Sequence, residues 1–149
     1  MPKQTLGWRE WLALPDLGID YIKAKIDTGA RTSALHAFRV ELFDKDGEAW
    51  VRFGMHPLQY DPDEVVECEA RLLDQREVRD SGGHSEMRYV IHSTIQIGDE
   101  QVDAEITLTD RESMKFRMLL GRTAMRGNYL VDPGRSYLSR KPPPDDDDD

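Results

Sequence analysis

Apolar residues along this chain alternate with polar ones far more often than they recur at helical spacing. Tyr89, Ile91, Ser93, Ile95 and Ile97 share one face of residues 87–97, and Val102, Ala104, Ile106 and Leu108 share one face of 102–108. Both segments read as half-buried strands joined by the turn Gly98-Asp99-Glu100. Residues 38–43 alternate in the same way up to Phe43, and residues 49–53 resume the apolar pattern. Asp46-Gly47 between them is a hairpin signal. Residues 8–14 and 21–26, rich in aromatic and branched side chains, are separated by the turn-forming Pro15-Asp16-Leu17-Gly18. Further short strands are predicted at 118–120, 129–131 and 137–138, with one helical turn at 123–126. Residues 65–78 are ambiguous: Val65, Val66 and Val78 have strand character, whereas 69–77 favours helix on propensity alone. Residues 55–63, with Pro57 and Pro62, read as a loop, and Asp80-Ser81-Gly82-Gly83-His84-Ser85 as a loop tip. Seven to nine short strands with at most one short helix predict an all-β chain, closed or nearly closed into a barrel.

The length of 149 residues suits one domain, expected over 1–139. Pro142-Pro143-Pro144 and five consecutive aspartates cannot bury surface, so 140–149 is read as a disordered tail. The net charge is −9, and the tail aspartates carry five of those charges. The remaining balance is only mildly acidic and supplies no basic footprint, so nucleic acid is not an expected partner. Cys68 is the only cysteine. It permits no internal disulfide and no cysteine-rich metal site, and it suits a reducing compartment. The N-terminal residues show no apolar segment of a signal peptide, and no run approaches the ~20 apolar residues of a membrane span. A cytoplasmic protein without a membrane partner is expected.

The sharpest local feature is Ala24-Lys25-Ile26-Asp27-Thr28-Gly29-Ala30. Here an apolar strand ends in a carboxylate, a β-branched hydroxyl residue and a glycine. Asp is unfavourable within a strand, and Gly allows close backbone approach. The segment either projects Asp27 from a rigid strand end or forms an ordinary Asp-capped turn. About ninety residues later comes Met118-Leu119-Leu120-Gly121-Arg122, followed by Thr123-Ala124-Met125. The two segments, with the Gly-containing tip at 80–85 between them, resemble retropepsin-like aspartic peptidases. In that family an Asp-Thr-Gly-Ala loop is flanked by an apolar-apolar-Gly-Arg crossing segment and a short helix. Gly7-Trp8-Arg9-Glu10-Trp11, Leu14-Pro15-Asp16-Leu17-Gly18-Ile19, residues 23–37 and 114–122 are similar to one bacterial and archaeal branch. Its members were long labelled ATP-dependent zinc proteases and are often encoded near ATP-grasp glutamate ligases. The likeness covers roughly residues 6–139.

The resemblance implies a barrel of the acid-protease type and a homodimeric aspartic endopeptidase. Asp27 would carry the catalysis, Thr28 would brace the loop against its symmetry mate, and Gly29 would let substrate backbone approach. Gly82 and Gly83 would form a mobile flap tip, with Glu86 and Arg88 matching the family's flap-region motif. Ala30, Arg31, Gly82, Gly83, Glu86, Arg88 and Arg122 are the expected substrate contacts. The chemistry needs two carboxylates that share a proton, one activating water while the other serves the carbonyl oxygen. One chain has one Asp-Thr-Gly, so a second copy must bring the other. Arg31, Arg79, Arg88, Arg117 and Arg122 lie in or beside the family segments. They could bind a glutamate-rich peptide, since Arg grips carboxylates bidentately. Each could equally be surface charge or a structural partner, for example of Glu86.

The zinc and ATP label has no residues behind it. There is no Gly-rich phosphate loop with Lys-Ser/Thr and no His-Glu-x-x-His, and His36, His56, His84 and His92 are scattered. No metal or other cofactor is expected. Cys68 sits between Glu67 and Glu69, which disfavour a thiolate nucleophile. Trp8, Trp11 and Trp50 are expected in packing, and Ser33 and Ser85 lack a triad order. Two alternatives stay open. One is a non-catalytic peptide-binding module partnering an ATP-grasp glutamate ligase, and the other is a structural subunit that keeps the loop for folding.

Overall fold

Short-range turn chemistry sets the first half of the chain. The computed structural model describes residues 3–56, 65–79, 82–109 and 116–143. Strands β1 (Gln4–Leu6) and β2 (Arg9–Leu14) lead into a 3-10 turn at Pro15–Leu17, closed by the Gly18 N–H donating to the Pro15 carbonyl at 3.2 Å. β3 (Ile19–Asp27) and β4 (Ser33–His36) flank the Asp-Thr-Gly loop. β5 (Arg39–Lys45) and β6 (Glu48–Met55) form the expected hairpin, with Asp46 at φ 54° and Gly47 at φ 83°. Two left-handed residues in succession match the strand twist, which is why Asp-Gly suits this loop.

The ambiguous segment is not helical. It forms β7 (Val66–Arg71) and β8 (Asp74–Arg79). Cys68 and Ala70 point into the core, while Glu67 pairs with Arg39, Glu69 with Arg52, and Arg71 with Glu48 on the outer face. Small inward residues and cross-strand ion pairs override the helix propensity of 69–77. β9 (Ser85–Ile97) and β10 (Glu100–Thr109) follow the predicted alternation, and β11 (Met118–Gly121), α1 (Arg122–Met125) and β12 (Tyr129–Val131) complete the chain. The expected strand at 137–138 is absent. Ser136 makes a lone bridge to Arg9, and Tyr137 has φ 58°.

Three sheets result. β1 and β12 pair in parallel, β5-β6-β7 form a meander, and the largest sheet runs β10-β4-β11-β3-β2-β9-β8. β9 also pairs with β10, so the pairings return on themselves as a ring. The β2–β9 seam rests on one pair, Ala13 with Gln96. The described residues are therefore mostly β, with a ring-like sheet and one short α-helix. Trp11, Leu12, Ile22, Phe53, Ile91, Ile95 and Ile106 fill the interior at 0–1% exposure. β4 escaped the sequence reading because all four of its residues are buried, so it shows no alternation.

A buried carboxylate ties the C-terminal segment down. Glu10, fully buried on β2, accepts from the Gly7 N–H (2.6 Å), the Leu138 N–H (3.0 Å), and the N–H and hydroxyl of Ser139 (2.9 and 2.8 Å). Of the tail expected over 140–149, residues 140–143 are described. Arg140 lies 3.8 Å over the Tyr21 ring and donates to the Asp20 carbonyl at 2.8 Å. Residues 144–149 lie outside the described residues, as do 57–63 of the expected loop, Asp80 and Ser81 of the tip, and Met114 and Lys115. No described helix is long and apolar enough to cross a membrane.

Candidate active site

β11 runs between β3 and β4, parallel to one and antiparallel to the other, with Leu120 opposite Ile26 and Gly121 opposite Asp27. The loop joining β3 to β4 must therefore pass around the end of β11. Gly121 is required at the crossing: a Cβ there would stand 2.6 Å from the Thr32 carbonyl carbon and 2.9 Å from the Ser33 nitrogen. Its N–H donates to the Ser33 hydroxyl at 3.0 Å. The next two residues hold the loop itself. Arg122 N–H donates to the Ala30 carbonyl (2.8 Å), and Thr123 donates to the Arg31 carbonyl from both its N–H (3.2 Å) and its hydroxyl (2.8 Å). The Arg122 guanidinium donates to the Gly29 carbonyl at 3.2 Å. Three successive loop carbonyls are thus gripped by the start of α1.

Asp27 ends β3 half-buried. Its Oδ1 accepts from the Gly29 N–H at 3.0 Å, and its carbonyl accepts from the Ala30 N–H at 3.2 Å. The carboxylate makes no other hydrogen bond among the described residues, leaving Oδ2 open for chemistry. Thr28 and Gly29 are exposed, and the Thr28 hydroxyl has no partner among the described residues.

An open cleft of about 720 Å³ runs beside this loop. Gly29, Ala30, Arg31 and Thr32 form one wall, and the other is a stretch of sheet running from residues 76–79 of β8 through Arg88, Glu105 and Thr107 to Ala34 and Leu119. Asp27 stands at its margin and does not line it. Of the expected contacts, Ala30, Arg31 and Arg88 line the cleft; Gly82, Gly83, Glu86 and Arg122 do not. Arg88 donates from Nε to Glu86 at 2.7 Å, and the Thr109 hydroxyl donates to the same oxygen at 2.9 Å. This is the structural pairing that the sequence left open for Glu86. Glu86 borders a smaller hollow with Phe38, Met87, Tyr89 and Leu108. Gly82 and Gly83 are exposed at the β8–β9 hairpin.

Sequence reasoning missed Arg76, Glu105 and Thr107. Arg76 sits in the segment with helical propensity, and Glu105 and Thr107 are the polar positions of an otherwise unremarkable alternating strand. Arg76 donates from Nη1 to Glu105 at 2.6 Å and from Nε to Asp74 at 2.9 Å. Those hydrogen bonds hold the Glu105 and Asp74 carboxyls below the usual carboxylate range. Cys68 is different: burial pushes its thiol up to about 11, which removes it as a nucleophile near neutral pH. Among the described residues no three His, Cys, Asp or Glu side chains gather as metal ligands would.

A family model described as RimB-like, retropepsin-like aspartic endopeptidase RimB, matches residues 5–142. Proteins from Shewanella pealeana and Shewanella halifaxensis, each described as a probable alpha-L-glutamate ligase, are 47% identical over 135 residues. A similarly described protein of Desulfotalea psychrophila is 44% identical over 131 residues. The matches to the Shewanella pair cover 91% of this chain, and the chain spans 30% of each of those two relatives. The crystal structure of Lpg0085 from Legionella pneumophila, a protein of unknown function, superposes with a TM-score of 0.77 at 26% identity. That match covers 93% of this chain and all of the other. The chain belongs to the retropepsin-like RimB family.

Proposed function

We propose that the chain acts as a homodimeric aspartic endopeptidase on acidic, glutamate-rich peptides. The observation that carries this reading is Asp27, set at a rigid strand end with one carboxylate oxygen in a turn and the other unoccupied. Hydrolysis of a peptide bond needs a base for water and an acid for the carbonyl oxygen. Two carboxylates at close range serve both roles because they cannot both stay ionised and so share one proton. A single chain offers one such group, and a two-fold axis near Thr28 would bring its copy alongside. The exposed Thr28 hydroxyls would then brace the two loops, and Gly29 would admit the substrate backbone. Arg31 lines the cleft beside the loop and would take a side chain of an acidic peptide, with Arg88 adding positive charge to the lining. The Gly82-Gly83 tip would close over the peptide and exclude water. The buried, reduced Cys68 fits a cytoplasmic setting.

The ligase-like relatives favour a second reading. They carry a segment resembling this chain inside proteins described as probable alpha-L-glutamate ligases. The cleft would then present acidic peptide to an ATP-grasp ligase without cutting it. Digestion of oligo-glutamate and a mixed peptide library by wild type and Asp27→Asn separates the two. The peptidase reading expects cleavage by wild type alone. Oligo-glutamate bound equally by both and cut by neither would establish the binding module instead.

A further inference from the structure

We propose that Glu105 is an internal stand-in for a substrate carboxylate, occupying Arg76 until an acidic peptide displaces it. The Arg76–Glu105 pair would thereby set the affinity of the cleft. This inference rests on the acidic-peptide reading and adds residues that neither the motifs nor the family likeness singled out. Arg76 and Glu105 both line the cleft that faces Ala30 and Arg31. Their carboxylate–guanidinium contact is short at 2.6 Å, yet their side chains stay 38% and 41% exposed. Half-exposed ion pairs hold little net stability and exchange partners readily.

The other arginines on this wall differ. Arg88 is only 12% exposed and is locked to Glu86, which Thr109 also engages. Among the described residues Arg79 makes only a 3.8 Å contact, to Glu77 on its own strand. Among the described residues, Arg76 alone on this wall bonds a carboxylate from another strand that itself faces the cleft. A glutamate side chain of a peptide presents the same group at the same reach. Arg76 keeps its Asp74 contact at 2.9 Å, so its guanidinium stays oriented during the exchange. Glu105 therefore acts twice against an acidic ligand, by masking Arg76 and by repelling the incoming charge.

The test measures binding of labelled oligo-glutamate to the full chain carrying Asp27→Asn, so that cleavage plays no part. Adding Glu105→Gln should tighten binding about two- to five-fold at low salt, with the gain shrinking as salt rises. Oligo-glutamine should show no gain. Arg76→Gln should weaken oligo-glutamate binding and abolish the gain from Glu105→Gln in the double variant. Glu105→Thr, which also suits a strand, serves if the Gln variant folds poorly. Unchanged or weaker binding by folded Glu105 variants would overturn the proposal, as would an equal gain in the Arg76→Gln background, which marks Glu105 as a distant charge only. Either result leaves the acidic-peptide reading standing. Absence of oligo-glutamate binding by every variant would remove both.

Discussion

Replacing Gly121 by Ala tests whether the crossing strand governs the Asp27 loop. The added Cβ would lie 2.6 Å from the Thr32 carbonyl carbon and 2.8 Å from its oxygen. That is roughly 0.9 Å short of an ordinary carbon–carbon contact. Both offending atoms are backbone, so no side chain can swing aside. Either β11 or the loop must move by a comparable amount. The Arg122 N–H bond to Ala30 is 2.8 Å and the Thr123 N–H bond to Arg31 is 3.2 Å. Stretched that far, neither remains a hydrogen bond. Overpacking costs about 1–3 kcal/mol, and each lost bond adds about 1 kcal/mol. The expected destabilisation is thus about 3–5 kcal/mol, a large part of a typical domain's stability but not all of it. Gly47→Ala is the control. Its φ is 83° and nothing lies within 4 Å of the new Cβ, so only the left-handed conformation is strained, at about 1 kcal/mol. Urea unfolding at constant m-value measures both. Where both variants are fully folded, oligo-glutamate cleavage or binding should fall in Gly121→Ala and not in Gly47→Ala. Equal stability of the two variants, with equal function, would refute the claim that β11 holds the loop.

Two further outcomes follow from buried groups. Glu10→Ala leaves the N–H groups of Gly7, Leu138 and Ser139 without their acceptor and should cost about 3 kcal/mol in urea unfolding. It should also expose residues 136–140 to limited proteolysis, and a variant as stable and protease-resistant as wild type would contradict the clamp. Cys68, raised from 9.0 to about 11 by burial, should resist alkylation at pH 8 until urea unfolds the chain. Because the folded thiol ionises later than the unfolded one, its contribution is present below pH 9 and lost between about 9 and 11. The stability difference between wild type and Cys68→Ala should narrow over that window, and a constant difference would show that burial does not set the thiol's behaviour.

Much of the fold was legible because its long strands each have one wet face. Residues 87–97 and 102–108 bury the side chains that period two assigns inward, and Asp46-Gly47 turns where two left-handed residues are needed. Legibility failed where both faces are covered or where local propensity opposes the sheet. β4 is buried on both sides between β10 and β11 and carries Ser33 and His36. Residues 69–77 favour helix, but the inward side chains Cys68 and Ala70 are small enough to pack a sheet against the core. Tyr137 and Leu138 suit a strand by residue type, yet only the Tyr137 N–H bonds backbone, donating to the Arg9 carbonyl at 3.0 Å, while the Leu138 N–H is taken by the Glu10 side chain.

The site divides along the same physical line. Asp27, Gly121 and Arg122 belong to short contiguous motifs because a tight turn and a crossing strand demand particular residues at particular steps. The cleft wall is built differently. Arg76, Arg88, Glu105 and Thr107 come from three strands and meet only after β8, β9 and β10 are in register, with Arg76 opposite Arg88 and Glu105 opposite His92. Two arginines opposite one another would repel, and each is neutralised by its own carboxylate, Glu105 for Arg76 and Glu86 for Arg88. Glu86 is also held by Thr109 and its partner Arg88 is only 12% exposed, whereas Arg76 and Glu105 both face the cleft, 38% and 41% exposed. Cross-strand repulsion thus explains why this wall carries glutamates at all. Exposure decides which of the two a ligand can replace.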